Sequence, residues 1–110
     1  MTELPDAMRR VLASLGMSRR ANELIIGQDR VLKVLSSGRR LFMVAAADCS
    51  QNVVRKAGRS GDIRVLNGLS RESLGSAVGV GKTQIVALPA GSGFVKKLKE
   101  LLTLGGTLNE

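Results

Sequence analysis

The stretch LFMVAAA, Leu41 to Ala47, is apolar at every position and lies between two segments of helical spacing. A short run with no polar residue on either face describes a strand buried on both sides. Such a strand needs helices above and below it, so the rest of the chain has to supply two helical layers. Met8, Val11, Leu12 and Leu15 recur at the spacing of one helix face, with Pro5 and Asp6 suited to the first turn and Gly16 near the end. Leu24-Ile25-Ile26 reads as a small strand. Gly27 opens a second helix, GQDRVLKVLSSG, with Val31, Val34 and Leu35 facing inward, Leu32 on the flank and Gly38 closing it.

After the buried run, Asp48 ends the strand. Ser50 is placed to cap a third helix carrying Val53, Val54 and Ala57, with Gly58 as its stop. DIRVL, 62–66, is a further strand. Ser70 is a good N-cap for a fourth helix, Leu69 and Leu74 occupy the two positions of a hydrophobic staple, and Gly79 fits the C-terminal stop. TQIVAL, 83–88, reads as the last strand, ended by Pro89. Phe94, Val95, Leu98, Leu101 and Leu102 form the core stripe of a final helix whose outer face holds Lys96, Lys97 and Lys99. The last residues, GGTLNE, read as a loose tail. The expected class is α/β, a three-layer α/β/α sandwich with a small mixed central sheet of about four strands. No internal repeat or linker divides residues 1–110, so one domain is expected.

Seventeen Lys and Arg against nine Asp and Glu give a formal charge of +8. A small domain this basic is suited to polyanions, RNA or DNA first. An anionic membrane surface fits less well, because no basic amphipathic helix carries bulky aromatic anchors. The longest apolar run is too short to span a bilayer, and MTELPDAMRR lacks the layout of a signal peptide, so a cytoplasmic protein is expected. The lone Cys49 agrees with a reducing compartment and reads as a small buried apolar residue.

Absent residue types narrow the chemistry. There is no His, hence no imidazole base and no His ligand, and a single Cys cannot build a zinc knuckle. No catalytic residue, metal site or cofactor is expected, nor a small-molecule substrate. Trp and Tyr are absent and only Phe42 and Phe94 are aromatic, so a base-stacking platform for single strands is hard to build. A nucleic-acid partner would be held by its phosphates and its folded shape.

GSAVGVGKT, residues 75–83, looks like a phosphate-binding loop but misses the pattern. The position five before Gly81 is Ser76, and a helix precedes the stretch where a strand should. A strand following it would draw the amides of Gly81, Lys82 and Thr83 into a sheet ladder. AGSGF, 90–94, fails as a nucleophile elbow, since Ala90 and Phe94 flank Ser92. The 79–82 segment reads instead as a helix-to-strand connection with close-approach glycines, one apolar tip and one cation.

The order GQDRVLKVLSSG, LFMVAAADCSQN, SRESLGSAVG and IVAL resembles the kink-turn-binding ribosomal-protein superfamily, the group of the archaeal L-seven-Ae and eukaryotic L-thirty-e proteins. LASLGMSRRANELIIGQDRVLKVLSSG is closest to its small bacterial YlxQ-type members. The resemblance runs from Met8 to Leu102. It implies an α/β/α fold and binding of kink-turn-like or ribosomal RNA through two places. One is the start of the second helix, here Gly27, Gln28, Asp29, Arg30 and Lys33. The other is the loop after the fourth helix, here Val78, Gly79, Val80, Gly81 and Lys82. RNA-binding members commonly carry Asn-Glu or Lys-Gln where this chain has Asp29-Arg30, and an Asp cannot donate to a guanine acceptor. That departure keeps open a second reading, a protein-interaction module on the same fold. A pairing of Lys33 with Asp29 along the helix is the plain structural alternative for that lysine.

Overall fold

In the computed structural model of the protein, which describes residues 6–105, helices and strands alternate. They are α1 (Asp6–Arg20), β1 (Ile25–Ile26), α2 (Gln28–Ser36), β2 (Leu41–Ala46), α3 (Gln51–Ser60), β3 (Asp62–Leu66), α4 (Arg71–Ala77), β4 (Ile85–Pro89) and α5 (Gly93–Gly105). Pro5 and residues 106–110 of the GGTLNE tail lie outside the described residues.

The sheet has the order β1-β4-β2-β3. β2 pairs parallel with β3, from Phe42 opposite Asp62 to Ala46 opposite Leu66. β4 runs antiparallel to both β1 and β2. Alternate side chains of the buried run serve opposite layers. Phe42, Val44 and Ala46 meet Met8, Val11 and Leu15 of α1, Leu74 of α4, and Val95 and Leu98 of α5. Leu41, Met43 and Ala45 meet Val31 and Leu35 of α2, and Val53 and Ala57 of α3. Each fully buried aliphatic side chain contributes about 1.5–3 kcal/mol, so both layers bind the sheet firmly. The result is the three-layer α/β/α sandwich with a mixed four-stranded sheet.

Four local expectations are corrected. α1 does not end near Gly16 but runs on to Arg20. Gly16 is buried where a Cβ would stand 2.9 Å from the Ala77 carbonyl oxygen, so it lets α4 come close. The stop is Asn22, at φ 63°, with Glu23 N–H donating to Ser18 and Asn22 N–H to Arg19, the bonding of a Schellman turn. α3 likewise passes Gly58 and stops at Gly61, where a Cβ would lie 3.1 Å from the Leu41 carbonyl oxygen. Ser50 occupies the α3 N-cap, yet its side chain makes no capping bond. β4 begins at Ile85, so Thr83 and Gln84 are loop residues.

Other expectations hold. Ser70 Oγ accepts from Ser73 N–H at 3.0 Å, and Leu69 and Leu74 are both fully buried. At the start of α1, a hydrogen bond from Arg9, with Arg10 nearby, holds the Asp6 carboxyl below the usual carboxylate range.

Because β1, β2 and β3 point the same way, their carboxyl ends share one edge of the sheet with the start of β4. The starts of α2, α3 and α4 follow those ends. Open α/β sheets place ligands at that edge.

Candidate nucleic-acid interface

The first part of the site is the entry to α2. Gly27 is its N-cap, with φ 97° and ψ 147° and no side-chain capping bond. That backbone conformation is essentially restricted to glycine. The Gly27 N–H donates to Ile85 O at 3.0 Å, so it belongs to the sheet edge rather than to a ligand. The amides left without helical partners are those of Gln28, Asp29 and Arg30. They carry the positive end of the helix dipole. A Cβ on Gly27 would meet nothing within 4 Å, so a backbone approaching these donors has open space.

The second part is the 79–84 loop, which folds back over α4. Gly79, at φ 83°, ends the helix. Val80 N–H donates to Gly75 O at 2.9 Å and Gly79 N–H to Ser76 O at 3.2 Å, a second Schellman turn. Thr83 N–H donates to Arg71 O at 3.1 Å. The expected sheet-ladder role for the amides of Gly81, Lys82 and Thr83 is thus replaced by a folded loop. The helix supports it closely: a Cβ on Gly75 would fall 2.7 Å from the Lys82 nitrogen and 2.8 Å from its carbonyl carbon. Arg19 of α1 donates to the Val78 carbonyl oxygen and holds the helix end from outside.

The two parts meet in a cleft of about 240 Å³ lined by Gly27, Gln28, Arg71, Lys82, Thr83 and Gln84. A relay of side-chain amides crosses its floor. Ser50 N–H donates to Gln84 Oε1 at 2.7 Å, and Gln84 Nε2 donates to Gln28 Oε1. A backbone N–H can only donate, which fixes the orientation of Gln84 and, through it, that of Gln28. Gln28 Nε2 makes no hydrogen bond to the described residues. Among those residues no buried side-chain nitrogen or oxygen lacks a partner, so this amide group is open to solvent. The cleft therefore presents a donor at Gln28.

Charge at this edge is mixed with a positive excess. Arg30, Lys33 and Lys82 are exposed and form no ion pair among the described residues. Asp29 and Lys33 do not pair, so the helix-surface alternative for Lys33 is not realised. Asp48, at the end of β2, accepts from Arg71 N–H at 3.1 Å and lies 3.4 Å from its Nε. Burial pushes the Cys49 thiol up, with Arg71 opposing and Asp48 adding to the shift, as suits a neutral filler between these groups.

The structure thus brings Gly27, Gln28 and Lys82 into one cleft, with Asp29, Arg30 and Lys33 on the adjoining exposed stretch of α2. Gly81 precedes Lys82 in the loop, and Gly79 lines a separate cleft with Gly16, Arg19 and Arg20. Val78 departs from its expected contact role. Its side chain is only 2 % exposed and its carbonyl oxygen is engaged by Arg19, so it supports the loop from beneath. Val80 is half-buried against the core, less of a projecting tip than its sequence position implies. Arg71, Gln84 and Asp48 were missed, although the position of Arg71 just after the Ser70 cap offered a cue.

Asp48 anchors the entry to α4. Asp48→Ala is expected to lower stability by about 1 kcal/mol, because the groups it satisfies are half-exposed. Asp48→Asn should recover part of the loss, since its carbonyl oxygen can still accept from Arg71 N–H. Urea unfolding of the three proteins checks both outcomes.

No protein-family model and no curated protein matches the sequence. Solved structures do match. A protein of unknown function from Bacillus halodurans superposes with a TM-score of 0.71 and 24% identity, covering 84% of this chain and 96% of that one. The Giardia lamblia 15.5-kD RNA-binding protein gives a TM-score of 0.65 and 13% identity, covering 94% and 91% of the two chains. The chain has the fold of both.

Proposed function

We propose that the chain binds folded RNA of the kink-turn type, without catalysing a reaction, in a ribosomal or related ribonucleoprotein setting. In this reading it belongs with the L-seven-Ae and L-thirty-e superfamily, nearest the bacterial YlxQ-type proteins. The observation that carries the reading is the shared cleft of Gln28 and Lys82, flanked by unpaired Arg30 and Lys33 and by the open α2 amides. The RNA-binding neighbour of the same fold supports it at the level of the fold. Helix-entry amides and cations hold phosphates. Gln28 Nε2 supplies a donor for an RNA acceptor, a base carbonyl edge or a phosphate, which Asp29 beside it cannot do.

The test is fluorescence anisotropy with a labelled kink-turn RNA and a straight duplex of equal length. Tighter binding of the bent RNA is expected, and equal binding would reduce the reading to general polyanion affinity. Gln28→Glu keeps the oxygen that accepts from Gln84 but removes the outward donor. It is expected to weaken the kink-turn complex about tenfold or more, in the range of one base-edge contact, with little change in the unfolding midpoint.

A further inference from the structure

We infer that the groove between α1 and α5 docks an acidic amphipathic helix of a partner protein, leaving the cleft at the sheet edge free. The groove measures about 630 Å³. Met17, Phe94 and Leu101 give it an apolar floor. Met17 stands off the buried stripe of Met8, Val11 and Leu15 and is 50% exposed, alone in this among the large hydrophobic residues described. Met and aromatic surfaces adapt to varied apolar side chains.

The rims set the sign of the occupant. Arg10 lines one side and Lys97 the other. Arg10 lies 3.6 Å from Asp6, but both side chains are two-thirds exposed or more, so the pair is weak and exchangeable. Lys97 has no ion pair among the described residues. The one carboxylate in the groove, Glu23, already accepts a hydrogen bond from Ser92 Oγ. An apolar stripe with acidic flanks therefore matches floor and rims together.

Shape and charge disfavour other occupants. A flat bilayer cannot fill a concave channel. A second copy would set Arg10 and Lys97 against basic residues of its own kind in a chain of charge +8. RNA would meet the entry of α5 at Gly93, but there Phe94 N–H already donates to Ser92 Oγ and Val95 N–H to Ser92 O, and the Glu23 carboxylate stands in the same groove. From Arg10 to Met17 the channel follows α1 for about 10 Å at helical rise, enough to seat about two turns. The α1–α5 layer covers the sheet face opposite α2, so a docked helix and an RNA can be held together.

The experiment is a methyl-NMR titration of the full chain, labelled at methionine, with a synthetic peptide of about 14 residues, roughly four turns. It carries Leu at one helix face and Glu on the flanks. A scrambled version and a version with Lys for Glu accompany it. The Met17 methyl is expected to shift with the acidic amphipathic peptide, while Met8 and Met43, at 2% and 0% exposure, hold still. Met17→Glu should weaken binding about tenfold, as for one anchor of a small interface, with an unchanged unfolding curve and unchanged RNA affinity. Equal binding of the scrambled peptide would overturn the inference. So would an unmoved Met17 methyl, no binding at all, or a Met17 shift that follows protein concentration without peptide.

Discussion

Gly75→Val is expected to disable the cleft from beneath and to lose both stability and RNA affinity. The Cβ of any residue here would meet the backbone of Lys82 and not a side chain that can rotate aside. Gly75 is buried within α4, so the helix cannot retreat without disturbing Leu74 in the core. Overpacking of this kind costs about 1–3 kcal/mol, and valine regains little of it through helix propensity. A shift of several degrees in the thermal midpoint follows, by roughly 4–8 °C per kcal/mol for a domain of this size class. The functional loss should exceed the stability loss, because the cheapest relief is to push Lys82 outward and break the Thr83–Arg71 bond. Gly75→Ala keeps the same clash but gains about 1 kcal/mol of propensity, so it should melt closer to the parent while binding RNA as poorly as the valine variant. If the alanine protein binds normally, the packing of loop on helix is not what shapes the site.

Much of the architecture was legible because apolar spacing reports burial directly. The unbroken run at β2 demanded two helical layers, and the stripes of α1, α2 and α5 supplied them. The glycines were less legible, since one residue type serves two physical purposes. Gly38 and Gly79 end helices at positive φ, as expected from sequence. Gly16 and Gly75 sit inside helices because another segment passes too close for a Cβ, and nothing local distinguishes the two uses. The start of β4 was misplaced for a related reason. Thr83 is β-branched and suits a strand, but its amide is taken by Arg71, twelve positions back in the chain.

The candidate site followed the same division. The α2 entry and the 79–82 loop were visible as local motifs and the resemblance paired them. Arg71, Asp48 and Gln84 were not, because their roles arise from tertiary bonds. The Gln84–Gln28 bond spans 56 positions and the Ser50–Gln84 bond 34. An isolated glutamine gives no sign that it orients another.

Replacing Arg30, Lys33 and Lys82 together by alanine is expected to separate local phosphate contacts from the general field of a +8 chain. Each cation that meets one phosphate adds about 0.7–0.9 to the magnitude of the log–log salt slope. Losing all three should flatten the slope by about 2–3 and, at about 1 kcal/mol for each exposed contact, weaken binding roughly 10²-fold at moderate salt. The matched control removes Arg39, Arg40 and Arg59, exposed residues at the amino ends of β2 and β3. It changes the net charge by the same amount at the opposite end of the sheet. Long-range attraction falls off within about 10 Å at 0.1 M salt, so the control should retain nearly the whole slope. Stability should move little in either variant, because none of these side chains is buried or ion-paired among the described residues. Anisotropy titrations at four or more salt concentrations measure the slopes. Equal flattening by the two triple variants would mean that the RNA is held by net charge and that the cleft edge has no special part in it.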